Sequence, residues 1–361
     1  MGYRIEWAQA SGDSADGLAD ALDKRIASDR IDGILPAAAW ALAPVAEAAA
    51  RHELPALSCA AASYLSNRRS LRERLAARGV PQAEYRYADS PETAVESAEG
   101  MEPPFYVVSD EGGSARESVA EFREDLALAA KRASGDNSSS GLVIESHPRG
   151  DIFSLFCCMY DGDTTISAIL GHRSAEAPYR FPMAVYCPAT ANDDLQKGLC
   201  VLAREALDAL QFDFGAVRVD ILACADSFLV LDVDPFLPWM WMPIDLIELA
   251  GGASYIENVL RMAAGEAPDV GRTRQAAALA WIPARPGRIV SIHGLKQAAS
   301  VDGVAQIQIF ARPGDTLRHR VDSAGRDRVG YIAATGPDTE TALARVERAL
   351  ECCRIETSTI R

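Results

Sequence analysis

The chain has 361 residues, enough for two to three domains at roughly 150 residues each, and long enough to bury a core without a disulfide or structural metal. Acidic residues number 51 against 36 basic ones, a formal charge of -15. That excess argues against nucleic-acid backbones and anionic membranes as partners, because both reward a basic stripe. Lysine occurs only at Lys24, Lys131, Lys197 and Lys296, so nearly all positive charge is arginine. The first seven residues carry charge where a secretory signal needs an apolar run, and the longest apolar stretches are broken by Pro36, Pro44 and Glu47. A soluble cytoplasmic protein is expected. Eight cysteines include two adjacent pairs and no Cys-x-x-Cys, which reads as buried free thiols rather than a disulfide or zinc framework.

The first eighty residues alternate short β runs with helical runs. Strands are expected at 3–7, 31–35 and 54–58, with helices around Leu18, Leu22 and Ile26 and over 40–51. That βαβαβ order implies a parallel sheet with helices on its faces. A basic helix over 63–78 is stopped by Gly79 and Pro81. A smaller unit follows: a strand at 105–109, a Gly/Ser-rich loop at 110–118, a helix at 119–133, a flexible loop at 134–141 and a strand at 142–145. Two strands, 152–160 and 164–170, flank Asp161-Gly162-Asp163 as a hairpin. A helix at 193–210 precedes strands 216–224 and 228–234, then helices at 244–249 and 255–264, a β-rich tail and a final helix at 339–352. The fold class is mixed α/β and α+β, in three parts: 1–80, 81–146 and 147–361.

The strongest chemical signal is the pair of strands carrying Asp220, Asp232 and Asp234. Asp232 and Asp234 share a strand face. An odd-numbered loop such as 225–227 would set Asp220 opposite Asp232, with Cβ atoms about 5 Å apart. Carboxylates that close repel unless a cation sits among them, and Mg²⁺ takes such oxygens together with substrate phosphates. The other reading is a wet outer face at a strand end. Arg218 is expected to face the same way as Asp220 only if a bulge intervenes. The five histidines are scattered without metal-ligand spacing, and no nucleophile signature is present.

The order of these elements resembles the ATP-grasp superfamily, on the carboxylate–amine ligase branch that includes dipeptide-forming amino-acid ligases and carnosine-synthase-like proteins. The likeness runs from about residue 30 to the end. It rests on the helix around Asn67-Arg68-Arg69 ending at Gly79-Val80-Pro81, and on the strand Leu142-Val143-Ile144-Glu145. It rests also on the hairpin after Pro148-Arg149-Gly150, on Asp220, Asp232 and Asp234, on Asp245-Leu246-Ile247-Glu248-Leu249-Ala250-Gly251-Gly252, and on the segment 326–336. The resemblance implies an N-terminal βαβαβ parallel-sheet domain, a small α+β lid and a C-terminal α+β ATP-grasp domain. It implies ATP and Mg²⁺ (or Mn²⁺) as cofactors and amide formation through an acyl phosphate, on an amino acid or small peptide. In that scheme Asp220, Asp232 and Asp234 carry the metal, Glu145 and His147 line the nucleoside pocket, and Ser109, Gly112 and Gly113 meet the phosphates. Arg68 and Arg116 supply catalytic cations.

Several positions depart from the family pattern. Ser109 stands where the family has a lysine, and Asn67 or Arg68 stands at an earlier lysine. Ile152 replaces a glutamate, Asp234 an asparagine and Phe236 the arginine that grips the carboxylate; 235–242 is an apolar wall. Arginine can hold phosphate bidentately in place of lysine. Two functions follow: a ligase, or a non-catalytic member that binds or stabilises a partner protein, as a homodimer or with a paralogous chain.

Overall fold

The computed structural model describes residues 15–36, 39–110, 117–135, 141–146, 148–174, 182–235, 242–317 and 328–358. Its centre is an eight-stranded sheet. The strand order is Val304–Ile309, Gly330–Gly336, Ala276–Trp281, Pro182–Cys187, Asp163–Ser174, Asp151–Tyr160, Gly215–Ala223 and Phe228–Asp234. A four-stranded sheet orders Glu84–Ala88, Leu142–Ser146, Phe105–Ser109 and Glu117–Ala120, and a three-stranded sheet joins Thr316–Leu317, Gly287–His293 and Arg354–Ser358. Every ladder among the described residues is antiparallel; a lone parallel bridge links Gln82 to Val230.

Period-two alternation sorts the large sheet into two cores. On one face Leu155, Cys157, Val217, Val219 and Ile221 pack on Leu199, Leu202, Ala203 and Ala206 of the helix Asp193–Ala209. On the other, Phe156, Cys158 and Ala216 meet Leu246, Ile247, Tyr255 and Val259. The hairpin at Asp161-Gly162 forms as expected: φ is 52° and 80° at the two turn residues, the left-handed pair that a two-residue turn requires.

The N-terminal segment differs from expectation. The helices are present as Ala15–Ser28 and Leu42–Arg51, and residues 3–7 lie outside the described residues. Residues 31–35 and 54–58 have no ladder partner among the described residues, and a β run becomes a strand only where a neighbour supplies N–H and C=O groups. The expected helix over 63–78 is two helices, Cys59–Leu65 and Arg68–Ala77. Asn67 breaks it: its backbone is extended (φ -151°), and its side chain accepts from Ser70 N–H at 2.8 Å as an N-cap. Residues 117–120, expected as the end of a loop (117–118) and the start of a helix (119–120), form an edge strand on Phe105–Ser109; the helix is Leu126–Ser134. All eight cysteines are free thiols, three of them buried (Cys157, Cys158 and Cys187). Among the described residues no helix is long and apolar enough to cross a membrane.

Candidate functional site

The strands Gly215–Ala223 and Phe228–Asp234 close with Ala223 opposite Phe228, and Cys224 N–H donates to the Ser227 carbonyl at 2.8 Å. That even register would set Asp220 against Leu231. A bulge shifts it, so that Ile221 faces Val230 while Asp220 faces Asp232 and Arg218 faces Asp234. The expected carboxylate pair therefore exists, produced by the bulge and not by an odd-numbered loop. Arg218 and Asp220 need no bulge to share a face, because residues two apart on a strand point the same way. Arg218 Nε lies 3.3 Å from Asp220 Oδ1, and Nη2 donates to Asp234 Oδ2 at 3.1 Å. Burial alone would lower the Arg218 pKa, but Asp220, then Asp234 and Asp232, outweigh it and hold the guanidinium charged.

The bulge leaves the Leu231 backbone outside the regular ladder, on the last strand of the sheet. Two guanidinium groups cover it: Leu231 C=O accepts from Arg68 Nη2 at 2.8 Å and from Arg72 Nη2 at 2.6 Å. Both come from the helix Arg68–Ala77, one turn apart, beside the buried Leu71 and Leu75. Arg68 also grips Glu145 bidentately, Nε to Oε1 at 2.7 Å and Nη2 to Oε2 at 3.0 Å, and donates through Nη1 to Asp232 Oδ1 at 2.7 Å. Arg72 adds Nε to Glu145 Oε1 at 2.8 Å, with Nη1 on Val230 C=O and on Gln82 Oε1. Glu145 and Arg72 are 0 % exposed and the Arg68 side chain 14 %. Burial lowers the Arg72 pKa, helped by the like charge of Arg68 and opposed by Glu145. For Arg68 burial acts in the same downward sense, but Asp232 and Glu145 win and raise it.

Behind the hairpin, Ser154 Oγ donates to Asp220 Oδ1 at 2.6 Å and lies 2.9 Å from His172 Nε2. Burial keeps His172 neutral, with its pKa lowered to about 4. Tyr255 OH is buried without a hydrogen-bond partner among the described residues. A cavity of about 60 Å³ near the hairpin is lined by apolar residues that include Leu42, Val45, Phe212, Val259, Met262 and Pro235. Of the apolar stretch read as a substrate wall, only Pro235 belongs to it; 236–241 lie outside the described residues.

The structure thus brings together Arg68, Glu145, Asp220, Asp232 and Asp234. Ser109 is buried at the end of its strand, on the neighbour of the strand that carries Glu145. Gly112, Gly113, Arg116, His147 and Phe236 lie outside the described residues. Sequence reasoning missed Arg72, Gln82, Ser154, His172 and Tyr255. Arg72 had a signal: it sits four residues after Arg68, beside Leu71 and Leu75. The others had none, because their partners are distant in sequence.

Comparison with known proteins agrees with this architecture. Residues 280–358 match the family model of the L-amino acid ligase C-terminal domain 2. The crystal structure of an L-amino acid ligase from Bacillus licheniformis superposes with a TM-score of 0.80 at 17% identity, over 96% of this chain and 86% of that one. The fold is ATP-grasp. A carboxyaminoimidazole ribonucleotide synthase from Aspergillus clavatus, complexed with ATP, superposes at a TM-score of 0.62 and 17% identity over 82% of this chain and 74% of that one. A formate-dependent phosphoribosylglycinamide formyltransferase of Pectobacterium carotovorum is 26% identical over 91% of this chain and 81% of that protein. The proteins this chain resembles thus include an amino-acid ligase, a ribonucleotide synthase and a formyltransferase.

Proposed function

We propose that this chain is a ligase relative whose phosphoryl-transfer centre has been given over to arginine–carboxylate pairs, and that it works in the cytoplasm by binding a partner protein. One observation carries the reading: Glu145 is wholly buried with both oxygens held by arginines. Phosphoryl transfer needs uncommitted cations aimed at the γ-phosphate and a metal to spread its charge. Here Arg68 commits its Nε, Nη1 and Nη2 to Glu145, Asp232 and Leu231, so it is not available as a phosphate cation. Glu145 cannot reach a ribose while it serves as the hub. If the parts divide at 80 and 146, the network ties all three together, Arg68 and Arg72 from the first, Glu145 from the second and Asp232 from the third.

The donor set does not suit Mg²⁺ either. Asp220 and Asp234 share Arg218 within 3.3 Å, Asp232 is held by Arg68, and no group of three His, Cys, Asp or Glu among the described residues has metal-holding geometry. A second reading, an ATP- and Mg²⁺-dependent ligase of amino acids or small peptides, draws on the likeness to the Bacillus licheniformis ligase along nearly the whole chain. In it Arg116, Gly112, Gly113 and His147 would meet the nucleotide, and Arg68 would have to leave its carboxylates.

The test is ADP release from ATP with a panel of amino-acid pairs. No amine-dependent release above blank is expected. Amine-dependent release that Asp232→Asn abolishes would overturn the non-catalytic reading.

A further inference from the structure

The two edges of the eight-stranded sheet are built differently. At the Phe228–Asp234 edge the outward backbone groups are taken up: Val230 N–H donates to Pro81 C=O at 2.9 Å, and Arg68 and Arg72 between them cover the Val230 and Leu231 carbonyls. At the other edge, Val304–Ile309, the ladder to Gly330–Gly336 fixes which groups face out. Phe310 N–H donates inward to Val329 C=O at 2.8 Å, and Gly330 C=O turns away from this strand to accept from Ile282 N–H at 2.9 Å. Ile309 lies opposite Gly330, so Ile309, and Ile307 two residues before it, point their N–H and C=O out of the sheet. Among the described residues nothing hydrogen-bonds these groups. Edges of this kind are ordinarily blunted by charge or proline, and residues 303–311 contain neither. A bulge at Ala305 confines the flat part to 306–309.

We propose that this edge pairs with the same edge of a second copy of the chain, antiparallel about a two-fold axis at Gln308, so that the two large sheets become one. Register and charge select that occupant. With Gln308 facing Gln308 of the second copy, Ile307 of each chain faces Ile309 of the other, and each such pair exchanges both of its N–H···O=C bonds. Like chemistry then meets on each face: glutamine on one, and on the other the isoleucines, which already pack with Ala298, Ile332 and Ala349. A one-residue slip would set glutamine against isoleucine. Asp302 and Arg312 bound the uncharged run, and both side chains are 87 % exposed. The antiparallel sense carries Arg312 of each copy to the Asp302 end of the other, whereas a parallel pairing would set like charges together. The surface is self-complementary, so the assembly closes at two copies. This inference goes beyond the non-catalytic reading and does not rest on it.

The test is sedimentation of the full chain, with hydrogen exchange read at the same concentrations. Wild type is expected to dimerise as concentration rises, and exchange of the Ile307 and Ile309 amides is expected to slow in step with the dimer. Ile309→Pro, which deletes a donor that its own sheet does not use, is expected to stay monomeric. Gln308→Lys and Gln308→Glu each set like charges face to face and are expected to weaken the dimer about fivefold, while an equimolar mixture of the two is expected to recover it. Wild type that stays monomeric to the limit of its solubility would overturn the proposal. So would a dimer that leaves both amides unprotected or that ignores both Gln308 substitutions. Should a variant fail to fold, the wild-type amides decide: slow exchange already present in the monomer would mean that the chain covers its own edge, and would overturn the proposal too. Amine-dependent ADP release would sink the non-catalytic reading and leave this one standing.

Discussion

The two faces of the strand Gly215–Ala223 are built from alternate residues of one segment, yet they obey different physics. Val217, Val219 and Ile221 are fully buried against the helix Asp193–Ala209, and their contribution grows with the apolar area removed from water. Arg218 and Asp220, interleaved with them, point to the opposite face and are held by charge pairs across the ladder. The apolar face is forgiving: a slightly smaller side chain costs little more than its missing contacts. The charged face is not, because a buried ion that loses its partner keeps its full desolvation cost. The hub at Glu145 is the extreme case.

The sharpest break of this comparison is Glu145→Ala, which leaves Arg68 and Arg72 buried without their shared carboxylate. A loss of about 3–5 kcal/mol is expected in urea unfolding. A loss below about 1 kcal/mol would mean that the network is solvated in solution. Ile221→Val, on the apolar face of the same strand, is expected to cost only about 0.5–1.5 kcal/mol. If the two variants unfolded at similar urea concentrations, the contrast between faces would be void.

Acid sharpens the charged face further. His172 has its folded pKa lowered to about 4 from 6.5, so between those values the unfolded chain binds a proton that the folded one refuses. This contribution is complete above pH 6.5 and is lost as pH falls towards about 4. Melting temperatures across that window should therefore decline, and His172→Gln should flatten the decline; an unchanged slope would remove His172 from the account. The smallest effect is expected from Tyr255→Phe. It deletes a buried hydroxyl with no partner among the described residues, so stability should stay level or rise slightly. A loss above about 1 kcal/mol would reveal a hydrogen bond to that hydroxyl.

Legibility in the sequence tracked distance along the chain. The turn Asp161-Gly162-Asp163 made the strands on either side of it readable, and the helices expected at 193–210 and 339–352 are observed as Asp193–Ala209 and Thr339–Cys352. The facing pair Asp220 and Asp232 was legible as a pair but not in its cause, since a bulge leaves no trace in a pattern of valines and leucines. Either Asn67 or Arg68 was read as standing at a lysine position; the cap that Asn67 makes for the helix carrying Arg68 went unread. The hub was illegible because Arg68, Glu145 and Asp232 lie 77 and 164 residues apart in sequence, and local patterns carry no information at that range. The count of four lysines foretold only that the buried cations would be arginines, as Arg68 and Arg72 at Glu145 are.

The most direct test of the central claim is calorimetric titration of the wild-type chain with ATP, with and without millimolar Mg²⁺. On the proposed non-catalytic reading Arg68, Arg72 and Arg218 are committed to carboxylates among the described residues, so no Mg²⁺-dependent heat is expected, and no rise in melting temperature with ATP. A site filled at about 100 times its Kd would add roughly 2.7 kcal/mol of stability, which such a scan would register clearly. Mg²⁺-dependent ATP binding in the micromolar range, weakened by Asp232→Asn, would contradict the account.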